Sequence, residues 1–403
     1  MRTNPQPART VGANACESIA SLCAQNWPGK KLLAIGDEQT LAAAGAQVKA
    51  QLPSIAIHHL GMRVRPAKKL AEELALAATP YDVLVAIGSG TVNDLVKYAA
   101  FIAEKPYFTV ATAASMNGYT SANASLEVEG FKQSFPARPP VAVIADTAIL
   151  TAAPKRLTRA GIGDTLCRST VEADMLMAHH LLGQPYPREI FDRLRAHESA
   201  LLGGLMNARD DESGFITHLM TALLDAGDAM TEFGSSAVAS QGEHMIAHTL
   251  ELKYGSELHD MLHGELIALT TVTVSQFQQR MLLSMPSTRP MPYSAEQFVR
   301  LFGQQQAESI AQHYAQKLLT AEQCETINAR LEKTWPGIVE AIKAITLAPN
   351  TLERALVHSG IHTQPAQIGL AEERYRFATS YAHLTRERFT FLDLAAMNAK
   401  RVR

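Results

Sequence analysis

Two histidines stand four residues apart in Gln241-Gly242-Glu243-His244-Met245-Ile246-Ala247-His248, a spacing that puts both imidazoles on one face of a helix. Another histidine, His263, sits in Leu262-His263-Gly264-Glu265 at the expected start of a helix, and Asp164 follows what reads as a Gly161-Ile162-Gly163 turn. One carboxylate and two imidazoles can hold a divalent metal and leave positions open for substrate and water. Helix geometry lets either His244 or His248 ligate. Glu243 precedes His244 instead of following it, so the pattern is not the H-E-x-x-H of zinc proteases. His58-His59 and His179-His180 read as structural histidines.

A second chemistry lies upstream, in Gly88-Ser89-Gly90-Thr91-Val92-Asn93-Asp94 between a strand pattern and a helix pattern. Glycines there would let the backbone approach a pyrophosphate, whose oxygens suit the open amides of a helix start. It is not the dinucleotide fingerprint G-x-G-x-x-G, because Asn93 holds the third glycine position and no acid follows about 20 residues on. The next strand pattern ends in Thr112-Ala113-Ala114-Ser115-Met116-Asn117-Gly118-Tyr119-Thr120-Ser121, a run of small and hydroxyl residues. Ligands of open α/β sheets sit outside the carboxyl ends of the strands, so both loops point at one ligand.

The elements that must carry these loops follow one rhythm. Residues 31–36, 54–60, 82–87, 107–112 and 141–146 read as strands, several of them nearly unbroken apolar runs suited to a sheet covered on both faces. Helical periodicity fills 40–51, 67–78 and 92–103, which makes a doubly wound parallel-sheet α/β domain. The long connection before 141 contains SLEVEG and FKQSF, read as a projecting β-hairpin. Beyond residue 150 the pattern turns helical, over 166–182, 188–207, 215–228, 237–252, 264–282 and 294–319. The expected organisation is an α/β dinucleotide-binding domain of residues 1–150 and an all-α metal- and substrate-binding domain of residues 151–403, with a ligand cleft between them.

Composition narrows the function classes. The 403 residues carry 37 Lys+Arg against 39 Asp+Glu, a formal charge of −2, which excludes a phosphate-tracking nucleic-acid surface. With 47% apolar and 19% charged residues the composition suits a globular chain and not a disordered one, and no window approaches the roughly 18 uncharged apolar residues of a membrane span. The cysteines Cys16, Cys23, Cys167 and Cys324 have no metal spacing, and the first residues lack a signal-peptide pattern, so reduced thiols and a cytoplasmic location are expected. Open sheet edges and the hairpin point to a homodimer.

In their order, GSGTVND, TAASMNGYTS, GIGD, QGEHMIAH and LHGE resemble the sn-glycerol-1-phosphate dehydrogenase family, within the wider group of iron-containing alcohol dehydrogenases, glycerol dehydrogenases and dehydroquinate synthases. The resemblance covers residues 30–270; the segment after them carries no motif. It implies the dehydroquinate-synthase-like fold, NAD or NADP on Gly88, Ser89, Gly90, Thr91, Asp94, Thr112, Ser115 and Ser121, and Asp37 at the adenosine ribose. It implies one divalent metal on Asp164, His244 and His263, with His248 facing substrate; zinc, nickel and iron all accept such a shell. The implied reaction interconverts glycerol 1-phosphate and dihydroxyacetone phosphate, with His248 relaying a proton. Lys155, Arg156, Arg159 and Arg168 are the cations expected near the phosphate. Two departures stand out: Asn117 replaces an aspartate that meets the substrate's hydroxyl end, and Ser240-Gln241-Gly242 replaces Ser-Gly-x before Glu243-His244. A glycerol dehydrogenase acting on an unphosphorylated polyol and a dehydroquinate-synthase-like lyase are the competing activities.

Overall fold

Every residue of the strand Val83–Gly88 is buried, and its side chains alternate between two cores. Val83, Val85 and Ile87 pack with Phe108, Val110 and Ile144 on one face, while Leu84 and Ala86 pack with Leu74, Leu95 and Tyr107 on the other. A strand buried on both sides needs helices on both sides, which is what turns the apolar runs into a doubly wound sheet.

The computed structural model describes residues 6–128, 131–207, 212–255, 257–258 and 260–398. They form two units, Met1–Thr165 with Ala196–Ser235, and Leu166–Arg195 with Ser236–Arg403. In the first unit the strands are β1 (Ala8–Gly12), β2 (Leu32–Gly36), β3 (Ala56–His59), β4 (Val83–Gly88), β5 (Tyr107–Ala111), β6 (Asn123–Val128), β7 (Phe131–Pro136) and β8 (Ala142–Asp146). Six of them make a parallel sheet in the order β1-β8-β5-β4-β2-β3. Strands β6 and β7 pair antiparallel as the expected hairpin, whose turn at 129–130 lies outside the described residues. Strand β1 is absent from the sequence reading: its ARTVG has one strongly apolar residue, and as a half-exposed edge strand it needs no more.

The helices are α1 (Ile19–Asn26), α2 (Glu38–Gln51), α3 (Lys68–Ala77), α4 (Gly90–Ile102), α5 (Thr147–Ala152), α6 (Lys155–Leu166), α7 (Arg168–Leu182), α8 (Arg188–Asn207) and α9 (Glu212–Phe233). They continue with α10 (Gly242–Tyr254), α11 (His263–Met281), α12 (Ala295–Phe302), α13 (Gln304–Ala315), α14 (Ala321–Ile345), α15 (Pro349–His358), α16 (Glu372–Tyr381) and α17 (Phe391–Met397). The second unit is helical, with a core of Met177, Leu181, Leu331, Trp335, Ile342, Phe391 and Leu394. The expected helix 294–319 is broken between α12 and α13 by Gly303, whose φ of +83° is a conformation helices exclude.

The chain passes between the units three times, whereas the sequence suggested one boundary near residue 150. Helix α9 packs with the sheet-bearing unit because Arg9 of β1 pairs with Asp225 at 2.5 Å and with Asp228, and because Thr120 Oγ1 donates to Leu224 O at 2.8 Å. None of these partners can be foreseen from periodicity. No helix among the described residues is long and apolar enough to cross a membrane.

Candidate active-site residues

In the first unit, β4 ends at Gly88 and α4 begins at Gly90, with Ser89 extended between them as the helix N-cap. A Cβ on Gly88 would overlap the Val92 side chain, so only glycine lets the helix turn this close to the strand. Ser89 makes no side-chain cap hydrogen bond, leaving the first amides of α4 for a phosphate oxygen. Asn93, where a third glycine would stand, is buried and accepts from Thr109 Oγ1 at 2.7 Å, tying α4 to β5. Thr91 is half-buried on the first turn; Thr112 and Ser115 are buried just beyond β5, and Thr112 N donates to Gly88 O at 3.2 Å.

Two of the residues expected at the cofactor are occupied within the fold. Asp94 Oδ2 accepts from Ser125 N at 3.0 Å, which fastens the hairpin to α4. The Ser121 hydroxyl lies 3.0 Å from Gly118 O and 3.1 Å from Asn123 O. Between them stands Lys97, which the sequence reading missed: it is fully buried, and its Nζ donates to Gly118 O at 2.5 Å, Asn123 O at 3.0 Å and Ser121 Oγ at 3.3 Å. Burial pushes this ammonium below the ordinary lysine value, opposed by Asp94 at 3.7 Å. Lys97 therefore gathers the carbonyls of the loop that carries Asn117.

Asp37 lies after β2 as expected, but its Oδ1 accepts from Thr40 N at 2.8 Å as the N-cap of α2. Asp37→Ala should cost about 1 kcal/mol in a urea unfolding series, while Asp37→Ser should stay within a few tenths because serine caps as well. A ribose contact in addition would raise the NAD KM in both variants.

Asp164 is not preceded by a turn: Gly161-Ile162-Gly163 lies inside α6. The glycine serves close packing, because a Cβ at 161 would overlap Ala114 O and come within 2.9 Å of its carbonyl carbon. That approach lets Asp164 Oδ2 accept from Asn117 N at 2.8 Å. Asp164 groups with the sheet-bearing unit, whereas the sequence division had it in the 151–403 domain.

In the second unit His244, His248 and His263 form one cluster, with ring centroids 5.3 Å apart for His244–His263, 5.5 Å for His248–His263 and 5.9 Å for His244–His248. Glu243 is fully buried beside them. Its Oε1 accepts from His244 Nδ1 and from Gln241 N, both at 2.8 Å, and its Oε2 accepts from Thr170 Oγ1 at 3.2 Å. A carboxylate acceptor on Nδ1 places the ring proton there and the lone pair of His244 on Nε2, the arrangement that orients metal-bound histidines. The donor set thus fits a divalent metal. Cys167, Glu243 and His244 also bring ligand atoms within 4.8 Å of one another, as do His248, Glu251 and His263.

The displaced glycine has a reason here. A Cβ on Gly242 would come 2.9 Å from Asp174 Oδ2, which accepts from Gly242 N at 3.0 Å. Asp174 also accepts from Phe391 N at 2.8 Å, and burial pushes its carboxyl up to about 7. His248 Nδ1 is 3.0 Å from Arg386 Nη2. An arginine only donates, so Nδ1 accepts and the ring proton resides on Nε2. Burial, then Arg386, hold this imidazole well below its usual value.

Of the cations expected to meet a phosphate, Lys155 pairs with Glu212. Arg168 is buried against Glu172 and donates to Ile345 O at 3.0 Å. Arg156 and Arg159 are exposed on α6.

The profile of the iron-containing alcohol dehydrogenases matches residues 10–154. A glycerol-1-phosphate dehydrogenase, NAD(P)+, of Geobacillus thermodenitrificans strain NG80-2 is 31% identical over 81% of this chain and 82% of its own length. A protein of the same name from Methanosphaerula palustris is 32% identical over 65% and 72% respectively. Among solved structures, the iron-containing alcohol dehydrogenase of Corynebacterium glutamicum shares the fold at a TM-score of 0.62, with 14% identity over 99% of this chain and 97% of that one. The chain belongs to the glycerol-1-phosphate dehydrogenase family of the iron-containing alcohol dehydrogenases.

Proposed function

We propose that the protein is a metal-dependent, NAD(P)-linked oxidoreductase that interconverts glycerol 1-phosphate and dihydroxyacetone phosphate. The observation that carries the reading is the His244–Glu243 hydrogen bond inside the histidine cluster, in a chain whose relatives bear that enzyme's name. Asp164, His244 and His263 are the ligands in this reading. When bound, the cation supplies Lewis acidity to the polyol oxygen and the nicotinamide ring takes or gives the hydride. The chain's own groups position the rest. Glu243 fixes His244 with its lone pair on Nε2, the Asn117 amide aims Asp164, and the glycine turn offers amides to the dinucleotide phosphates. His248 keeps its proton at Nε2 and serves as a hydrogen-bond donor to the substrate, a narrower role than the proton relay expected from its residue type.

The reading includes a homodimer, on the open edges of β1 and β3, and a cytoplasmic location, on four buried cysteines that form no disulfide among the described residues. A spectrophotometric comparison of glycerol 1-phosphate with glycerol tests the activity. Stoichiometric NAD(P)H from the phosphorylated substrate, with glycerol far weaker, is expected. Preference for glycerol would make the protein a polyol dehydrogenase, and turnover without net NAD(P)H a lyase.

A further inference from the structure

We propose that Arg386, backed by Arg388, is the receptor for the phosphate of the polyol phosphate that lies against His248. This deepens the reading above and rests on it for the identity of the substrate. Of the four cations expected for that task, Lys155 is paired with Glu212 and Arg168 with Glu172.

Both arginines lie in the segment between the one-turn helix Ala382–Leu384 and α17. Arg386 Nη2 donates to His248 Nδ1 at 3.0 Å, and His248 is in ring contact with His244 and His263, so the guanidinium stands one side chain away from the metal-binding pair. Among the described residues Arg386 makes no ion pair. The carboxylates in its field are Glu387 and Glu251. Glu387 faces His313 at 3.5 Å and Arg388 Nε at 3.8 Å, and Glu251 faces His263 at 3.6 Å. Arg388 donates to Ser240 O and to Ser236 Oγ at 2.7 Å, which hold it beside Glu387.

Arg386, with no carboxylate in ion-pair contact and with the Glu387-paired Arg388 two residues on, is a guanidinium that a phosphate oxygen can satisfy. Burial holds Arg386 below the usual arginine value, and burial together with Arg386 pushes Arg388 down to about 10. The planar guanidinium fork suits phosphate oxygens, and one of its nitrogens is already committed to His248. The segment is rigidly mounted. Buried Lys317 donates to Arg388 O at 2.7 Å and pairs with Asp393 at 2.7 Å, Asp393 Oδ2 accepts from Thr390 N at 2.8 Å, and Phe391 N is held by Asp174. Preorganised charge of this kind raises affinity without an ordering cost.

The test uses the metal-loaded full chain, with inorganic phosphate as the probe and NAD(P)H formation as the second readout. Phosphate is expected to compete with glycerol 1-phosphate and not with the nucleotide. Arg386→Met should weaken that inhibition and raise the KM for glycerol 1-phosphate about ten- to a hundredfold, with a smaller change in kcat. Arg386→Lys, which keeps charge but not the fork, should fall between the two and decides the matter if the methionine variant does not fold. Phosphate inhibition and KM at wild-type values in a folded, metal-loaded Arg386→Met, or competition against the nucleotide alone, overturns the proposal. An enzyme that turns over no glycerol 1-phosphate but is stabilised by phosphate in an Arg386-dependent way would sink the substrate reading and leave the anion site standing.

Discussion

His244→Ala is expected to lower NAD(P)-linked turnover by about a thousandfold or more and to release most of the bound metal, while NAD binding stays close to wild type. The size follows from what is removed. Lewis-acid stabilisation of an alkoxide supplies several kcal/mol, and each 1.36 kcal/mol is worth about tenfold in rate. Its selectivity follows from placement, since His244 lies in the helical unit and the glycine turn of β4 and α4 lies in the sheet-bearing one. Glu243→Gln should be milder, about ten- to a hundredfold in metal affinity, because the amide can still meet His244 Nδ1 but no longer as an anion. Metal analysis of the purified variants beside their rates checks both. A His244→Ala enzyme with full metal content and normal turnover would remove His244 from the site.

Gly161→Ala should be the most damaging small substitution outside the histidine cluster. The new methyl would overlap the Ala114 carbonyl oxygen and come 3.2 Å from Leu223 Cδ1, and the main clash is with backbone, which has no rotamer to give. Overpacking of this kind costs about 3 kcal/mol. Asp164 is one helical turn further on, so the displaced α6 would also carry its carboxylate away from Asn117 N. The expected result is a lower urea midpoint together with reduced metal retention. Gly203→Ala in α8 is the control: nothing lies within 4 Å of its Cβ position, and alanine there should stabilise the helix by up to about 1 kcal/mol.

The contrast between those two glycines shows what was legible in the sequence. Strands β2, β4, β5 and β8 were readable because both faces are buried, and burial on both faces leaves an apolar run. The histidine cluster was readable because helical spacing places His244 and His248 together, though the placement of His263 beside them came from the family pattern and from the fold. Gly161 was misread as a turn because a glycine needed for close approach looks the same in sequence as one needed for a bend. Lys97, Asp174 and Arg386 were missed for a related reason: their roles depend on partners such as Asn123, Phe391 and His248 that long-range folding brings to them. The one local signal was Arg-Glu-Arg at 386–388, a doubled charge set among apolar and hydroxyl residues.

The central claim is that one divalent metal per chain is required for NAD(P)-linked turnover of glycerol 1-phosphate. The most direct measurement is a titration of chelator-stripped full-length protein with zinc, nickel or iron, following NAD(P)H formation from glycerol 1-phosphate. The account predicts negligible activity in the stripped protein and recovery that saturates at one equivalent of metal. Full activity in stripped protein that retains no metal would contradict it.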